Sequence, residues 1–111
     1  MSKIIRHSVF ALLAIAAILV ASCSLQARGR THSLAKISVG DTEQSVLERL
    51  GNPTRVELPG QPYLLYATQG CVAPCNTRLW WEWPLFRGIE AWSVELDPDG
   101  KVVKTAHWVS P

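Results

Sequence analysis

Gly40-Asp-Thr-Glu-Gln-Ser-Val-Leu-Glu-Arg-Leu-Gly-Asn-Pro53 is the stretch whose reading decides the fold. It spells a capped helix: Asp41 or Thr42 can accept the unpaired N-terminal N–H groups, and Glu43 complements the positive end of the helix dipole. Val46, Leu47 and Leu50 form one apolar stripe, Gly51 suits the left-handed closing residue, and Pro53 forbids continuation. Just upstream, Leu34, Ala35 and Ile37 can add a short helical turn that depends on tertiary contacts. Downstream, residues 63–68, 90–96 and 102–109 read as strands. The last two are separated by Asp97-Pro-Asp-Gly100, a type I turn with a bulge that makes them antiparallel neighbours. Trp92, Val94 and Leu96 share one face of the middle strand and Ser93 and Glu95 the other, as in a sheet with one wet side. The expectation is an α+β domain of two layers, with one or two N-terminal helices packed on a three-stranded antiparallel meander.

Working back toward the start, residues 1–22 read as a signal peptide. Lys3, Arg6 and His7 form a basic beginning, and residues 9–21 are apolar, the length of a secretory core rather than of the roughly 20 residues that span a bilayer. Val20-Ala-Ser-Cys23 resembles the lipobox of bacterial lipoproteins. That resemblance implies diacylglycerol on the Cys23 sulfur, cleavage before it and acylation of the new terminus, a firmer anchor than one acyl chain gives. Ser24 in place of Asp implies the periplasmic face of the outer membrane. The other reading of the stretch is an uncleaved anchor helix. Residues 23–33 hold almost nothing apolar and are expected to form a flexible tether, leaving 34–111 as the folded domain.

Once the leader is set aside about 89 residues remain. Lys3 and Arg6 leave with it, so nine basic residues face nine acidic ones. A neutral domain without a basic run excludes nucleic acid, whose binding rests on many Lys and Arg contacts to phosphate. With Cys23 consumed by lipid, Cys71 and Cys75 remain as a pair in an oxidising compartment, close enough in sequence for a structural disulfide. A redox site calls for Cys-x-x-Cys at a helix start, and a zinc site for two further ligands, with only His32 and His107 to supply them.

The pattern Ile37-x-x-Gly40-x-Thr42-x-x-x-Val46-x-x-x-Leu50-Gly51-x-Pro53, the aromatic strand after it and the closing Asp-x-x-Gly hairpin resemble the SmpA/OmlA (BamE-like) small outer-membrane lipoproteins. The likeness spans residues 34–109. It implies a lipid-anchored periplasmic module that contacts other envelope proteins and lipid, in support of envelope integrity or assembly of outer-membrane β-barrels. Two features depart from the pattern: Asp41 stands where Met is common, and residues 70–88 form an added loop.

That loop carries the candidate contact residues. Arg78, Trp80, Trp81, Trp83, Phe86 and Arg87 place three of the chain's five tryptophans between two arginines, more indole than a small core readily hides. One reading exposes them as an anchor on a protein or membrane partner. The other lets Trp81, Trp83 and Leu85 alternate with Trp80, Glu82 and Pro84 as a strand packed inward. No local motif joins a nucleophile to a base, His107 has no nearby carboxylate in sequence, and the glycines are scattered, so neither catalysis nor a cofactor or metal is expected. The alternative function is a periplasmic inhibitor or stress-related envelope lipoprotein that binds another enzyme or protein, with 70–88 as a disulfide-pinned plug.

Overall fold

The computed structural model describes residues 2–83 and 88–109, apart from the side chains of Ser2, Cys23 and Ser24. Helix α1 runs Ser2–Ala35 and helix α2 Glu43–Leu50, followed by strands β1 (Arg55–Glu57), β2 (Thr77–Glu82), β3 (Glu90–Leu96) and β4 (Val102–Val109). The strands form one antiparallel sheet in the order β1-β2-β3-β4.

The capped helix forms as its sequence dictates. Thr42 is the N-cap, its hydroxyl accepting from the Ser45 N–H at 3.1 Å. Asp41 instead accepts from the Ser38 N–H at 2.9 Å and fixes the approach turn. Gly51 closes the helix at φ 77°, its N–H donating to the Leu47 carbonyl, a backbone angle that costs a residue with a Cβ. At the β3–β4 turn the Asp97 carboxylate accepts from the N–H groups of Asp99 and Lys101, and Gly100 takes φ 76°. A bridge between Thr42 and Lys101 ties this turn to the start of α2.

The sheet is buried on both faces. On the first, Leu79, Trp81, Trp92, Val94, Leu96 and Val102 meet Val46 and Leu50 of α2 and Leu34 and Ile37 at the end of α1. On the second, Trp80 and Ala91 lie beneath Tyr63 and Ala67, with Tyr66 and Trp108 packed against them. The segment 58–76, between β1 and β2, is the second cover.

Three expectations are corrected. The sheet has four strands rather than three, and residues 63–68 are not among them: Tyr66 and Ala67 donate backbone N–H groups to the Tyr63 carbonyl, the bonding of a tight turn. Tyr63 and Ala67 accordingly point inward at a spacing of four rather than two. Second, residues 77–82 are no part of a loop. They form an inner strand, and Trp80 and Trp81 are fully buried, with Arg78 4% exposed. The inward-packed strand reading was the right one for these residues, because two covered faces give neighbouring tryptophans two separate interiors. Third, 23–33 is not a flexible spacer but the continuation of α1. The stripe Ala27, Arg30, Thr31 and Leu34 provides what apolar content alone does not. Ala27 packs on the first core, and Thr31 accepts from the Trp92 indole at 3.0 Å. The Arg30 guanidinium donates to the Glu82 carbonyl and lies over the Trp92 ring.

The burial of the two tryptophans sets a stability test. Trp80→Ala and Trp81→Ala are each expected to cost about 3–5 kcal/mol, read as a lowered urea midpoint with an unchanged slope. Leu64→Ala, at a side chain 73% exposed, is expected to stay within about 0.5 kcal/mol.

Candidate functional site

Two carboxylates on the second face organise everything around them. Glu57 stands opposite Arg78 in the β1–β2 register. Its Oε1 accepts from the Tyr63 N–H at 3.2 Å and the Trp80 indole at 3.0 Å, while its Oε2 accepts from the Cys71 N–H at 3.3 Å and pairs with Arg78 at 3.4 Å. Glu82, at the far end of β2, accepts from the Tyr63 hydroxyl at 2.8 Å, the Tyr66 hydroxyl at 3.5 Å and Thr54 at 3.3 Å. Both are buried, and a buried carboxylate persists only with this kind of satisfaction.

An aromatic cluster fills the space between them. The Trp80 ring meets Tyr63 edge-on at 5.4 Å, stacks on Tyr66 at 5.5 Å and tilts against Trp108 at 5.4 Å. Burial pushes the Tyr63 phenol up to about 12. Its hydrogen bond to Glu82 adds to the effect, since ionisation would set two anions side by side.

Beside this cluster opens a cleft of about 450 Å³, lined among others by Gln69, Cys71, Arg78, Glu95, Lys104 and Trp108. Arg78 donates to the Gln69 carbonyl at 3.1 Å and lies over the Trp80 ring, but its Nε has no hydrogen-bond partner among the described residues. Cys71 and Cys75 form a disulfide, with Cα atoms 5.6 Å apart, and it pins the rim of the cleft. Together with Glu95 these sulfurs are the one group among the described residues spaced to hold a metal. With the sulfurs bonded to each other no thiolate is left to ligate one.

At the opposite end of the sheet, on the first face, His107 Nε2 lies 2.6 Å from Glu90 Oε2 and its ring stacks on Trp92. The Trp83 indole donates to the other Glu90 oxygen at 2.7 Å. Burial also lowers the pKa of Arg30 nearby. The His107–Glu90 pair was invisible locally because its members are seventeen residues apart. Carrying the β3–β4 register outward from the Asp97–Gly100 turn brings them together.

Of the six residues expected as a contact patch, Arg78, Trp80 and Trp81 are interior, and Trp83 is half-buried against the first core. Phe86 and Arg87 lie outside the described residues, as does the side chain of Cys23. Among the described residues, exposed Leu65, Ile89 and Val109 lie near this end of the sheet, with exposed Leu64 next to Leu65 in the chain. Leucines in a supposed strand and a lone isoleucine after a turn gave no signal of this.

No family model matches the chain, and neither a curated protein nor a solved structure does.

The Tyr63–Glu82 pair predicts an alkaline limb to stability. A phenol whose pKa is higher in the folded than in the unfolded chain contributes stability in full below about pH 10, and loses it as pH rises through about 12. Unfolding free energy is therefore expected to fall across that window. Tyr63→Phe should flatten the fall and cost on the order of 1–3 kcal/mol at neutral pH. Denaturant titrations at a series of pH values, with phenolate absorbance followed in parallel, read both effects.

Proposed function

We propose that the chain is a lipoprotein anchored to the outer membrane through acylated Cys23, of the SmpA/OmlA (BamE-like) kind. Its periplasmic domain acts as a non-catalytic binding or scaffold module in envelope integrity or β-barrel assembly. The observation that carries this reading is the relation of α1 to the rest of the fold. The helix is long and apolar enough to cross a membrane by length and composition, a test that a signal sequence also passes, and none of its most apolar stretch is buried in the domain. That stretch leads directly to Cys23, and the helix reaches the sheet only one turn later, at Ala27. Apolar surface that the fold leaves uncovered calls for either removal or a bilayer, and the Val20-Ala-Ser-Cys23 sequence supports processing and lipid attachment at that point.

The domain itself supports a binding role. Its buried polar groups are spent on holding the 58–76 cover, and its exposed features are a cleft and an apolar rim. The inhibitor alternative rested on 70–88 as a protruding plug. With 77–82 built into the sheet as an inner strand, no observation favours it.

Labelling growing cells with a palmitate analogue and weighing the mature protein tests the anchor. Expected are a label, a start at Cys23 and loss of both in Cys23→Ala, with the variant unlabelled and heavier by its uncleaved leader. An unlabelled protein retaining its amino-terminal methionine would refute lipid anchoring. Crosslinking in intact envelopes then identifies what the domain holds.

A further inference from the structure

We infer that the end of the sheet where Trp83, Glu90 and Val109 lie is a membrane-facing surface, and that the domain sits on the phospholipid interface there rather than hanging free on its tether. This rests on the anchoring reading above and adds an orientation to it.

The direction of α1 fixes which end faces the bilayer. Gly40, five residues past the end of α1, donates its N–H to the Val102 carbonyl beside the β3–β4 turn, Arg30 and Thr31 meet Trp92 and the Glu82 carbonyl, and Ala27 borders a groove with Trp83 and Glu90. Followed toward its start, the helix therefore runs along the sheet toward the end of Trp83 and Glu90 and leaves it there. Ala27 is four residues after Cys23, about 6 Å along a helix axis. With the spacer helical and docked, acyl chains on Cys23 leave the domain almost no separation from the lipid.

The surface presented at that end suits the interface. Leu64 is 73% exposed, Leu65 51%, Ile89 47% and Val109 66%. A Cβ placed on Gly88 would lie 3.6 Å from Leu65, which joins Leu65 to Ile89, and Val109 pairs with Glu90 beside them. Trp83 adds an indole, a side chain suited to the headgroup region. Exposed Arg28 lies on the outer side of the docked turn, and exposed Arg55 lies 4.2 Å over the ring of Tyr63, the neighbour of Leu64 in the chain, charges suited to anionic headgroups. The opposite end is acidic: Asp41, Glu43, Asp97 and Asp99 gather around the β3–β4 turn, against Lys36 and Lys101. Val39 and Val72 are exposed at this far end too, and Glu82 and Glu90 lie at the near one, so what sets the two ends apart is the cluster of carboxylates around the turn at the far end and the direction in which the anchor leaves.

The native cysteines make the test clean. Acylation of Cys23 and the Cys71–Cys75 bridge leave an introduced cysteine as the sole free thiol. Full-length protein purified from envelopes as Leu64→Cys, Ile89→Cys or Asp99→Cys is labelled with an environment-sensitive dye. It is then reconstituted in phosphatidylethanolamine–phosphatidylglycerol vesicles with and without a lipid carrying a spin label near its headgroup. All three sites are on the surface, and circular dichroism confirms that each variant folds. The expected result is blue-shifted emission at 64 and 89 with quenching several-fold stronger than at 99. Equal, water-like emission and quenching at the three sites, in protein that still floats with the vesicles, overturns the seated orientation while leaving the anchor intact. Protein that fails to float overturns the anchor and the orientation with it.

Discussion

The Glu57 carboxylate is the constraint on which the second half of the structure depends. It sits 2% exposed at the end of a three-residue strand, and its two oxygens gather the Tyr63 and Cys71 backbone, the Trp80 indole and the Arg78 guanidinium. Two of these donors bracket most of the cover and two belong to β2, so one side chain nails the segment 58–76 across the sheet. Removing a charge from water costs several kcal/mol, and its partners must return that energy. The arrangement therefore holds only when cover and strand are both in place. This makes it a device of specificity, since any other placement of 58–76 strands a buried anion.

From that fixation the rest of the second face follows. Once the cover is held, Trp80 is enclosed by Tyr63, Tyr66 and Trp108, and Glu82 finds two phenols and Thr54. The disulfide contributes differently. A bridge between residues four apart restricts the unfolded chain only slightly, so its effect is to shape the cleft rim where the Cys71 N–H reaches Glu57.

The first face was legible in the sequence because it obeys simple rules. Thr42 to Gly51 carries its own caps and stripe, Trp92, Val94 and Leu96 alternate, and Asp97 to Gly100 spells its turn. The second face hid because its burial is polar. Arg78, Glu82 and Glu57 are charged residue types that are mostly exposed in proteins, and without knowing that they meet partners across the sheet nothing in their order marks them as buried. The same blindness left Trp80 and Trp81 divided between an exposed patch and an inward strand: adjacent indoles look like surplus until a sheet has two interiors. It also made 23–33 a tether, since a helix docked through an alanine, a threonine hydroxyl and an arginine shows no apolar stripe.

Docking through such groups has a mechanical consequence of its own. Arg30 donates to the carbonyl of Glu82 at the last residue of β2, tying the helix to the backbone of the sheet. Trp92, held from one side by Thr31 and Arg30, stacks on His107 of the neighbouring strand. The link from helix to sheet is thus directional, made of hydrogen bonds and ring faces that fix rotation about the helix axis, where purely apolar packing tolerates sliding. A link of that kind transmits orientation. Whatever holds the start of α1 also decides which way the sheet, its cleft and its acidic turn point, so their orientation relative to the helix is set by the joint at Trp92 and not by the reach of a loose chain.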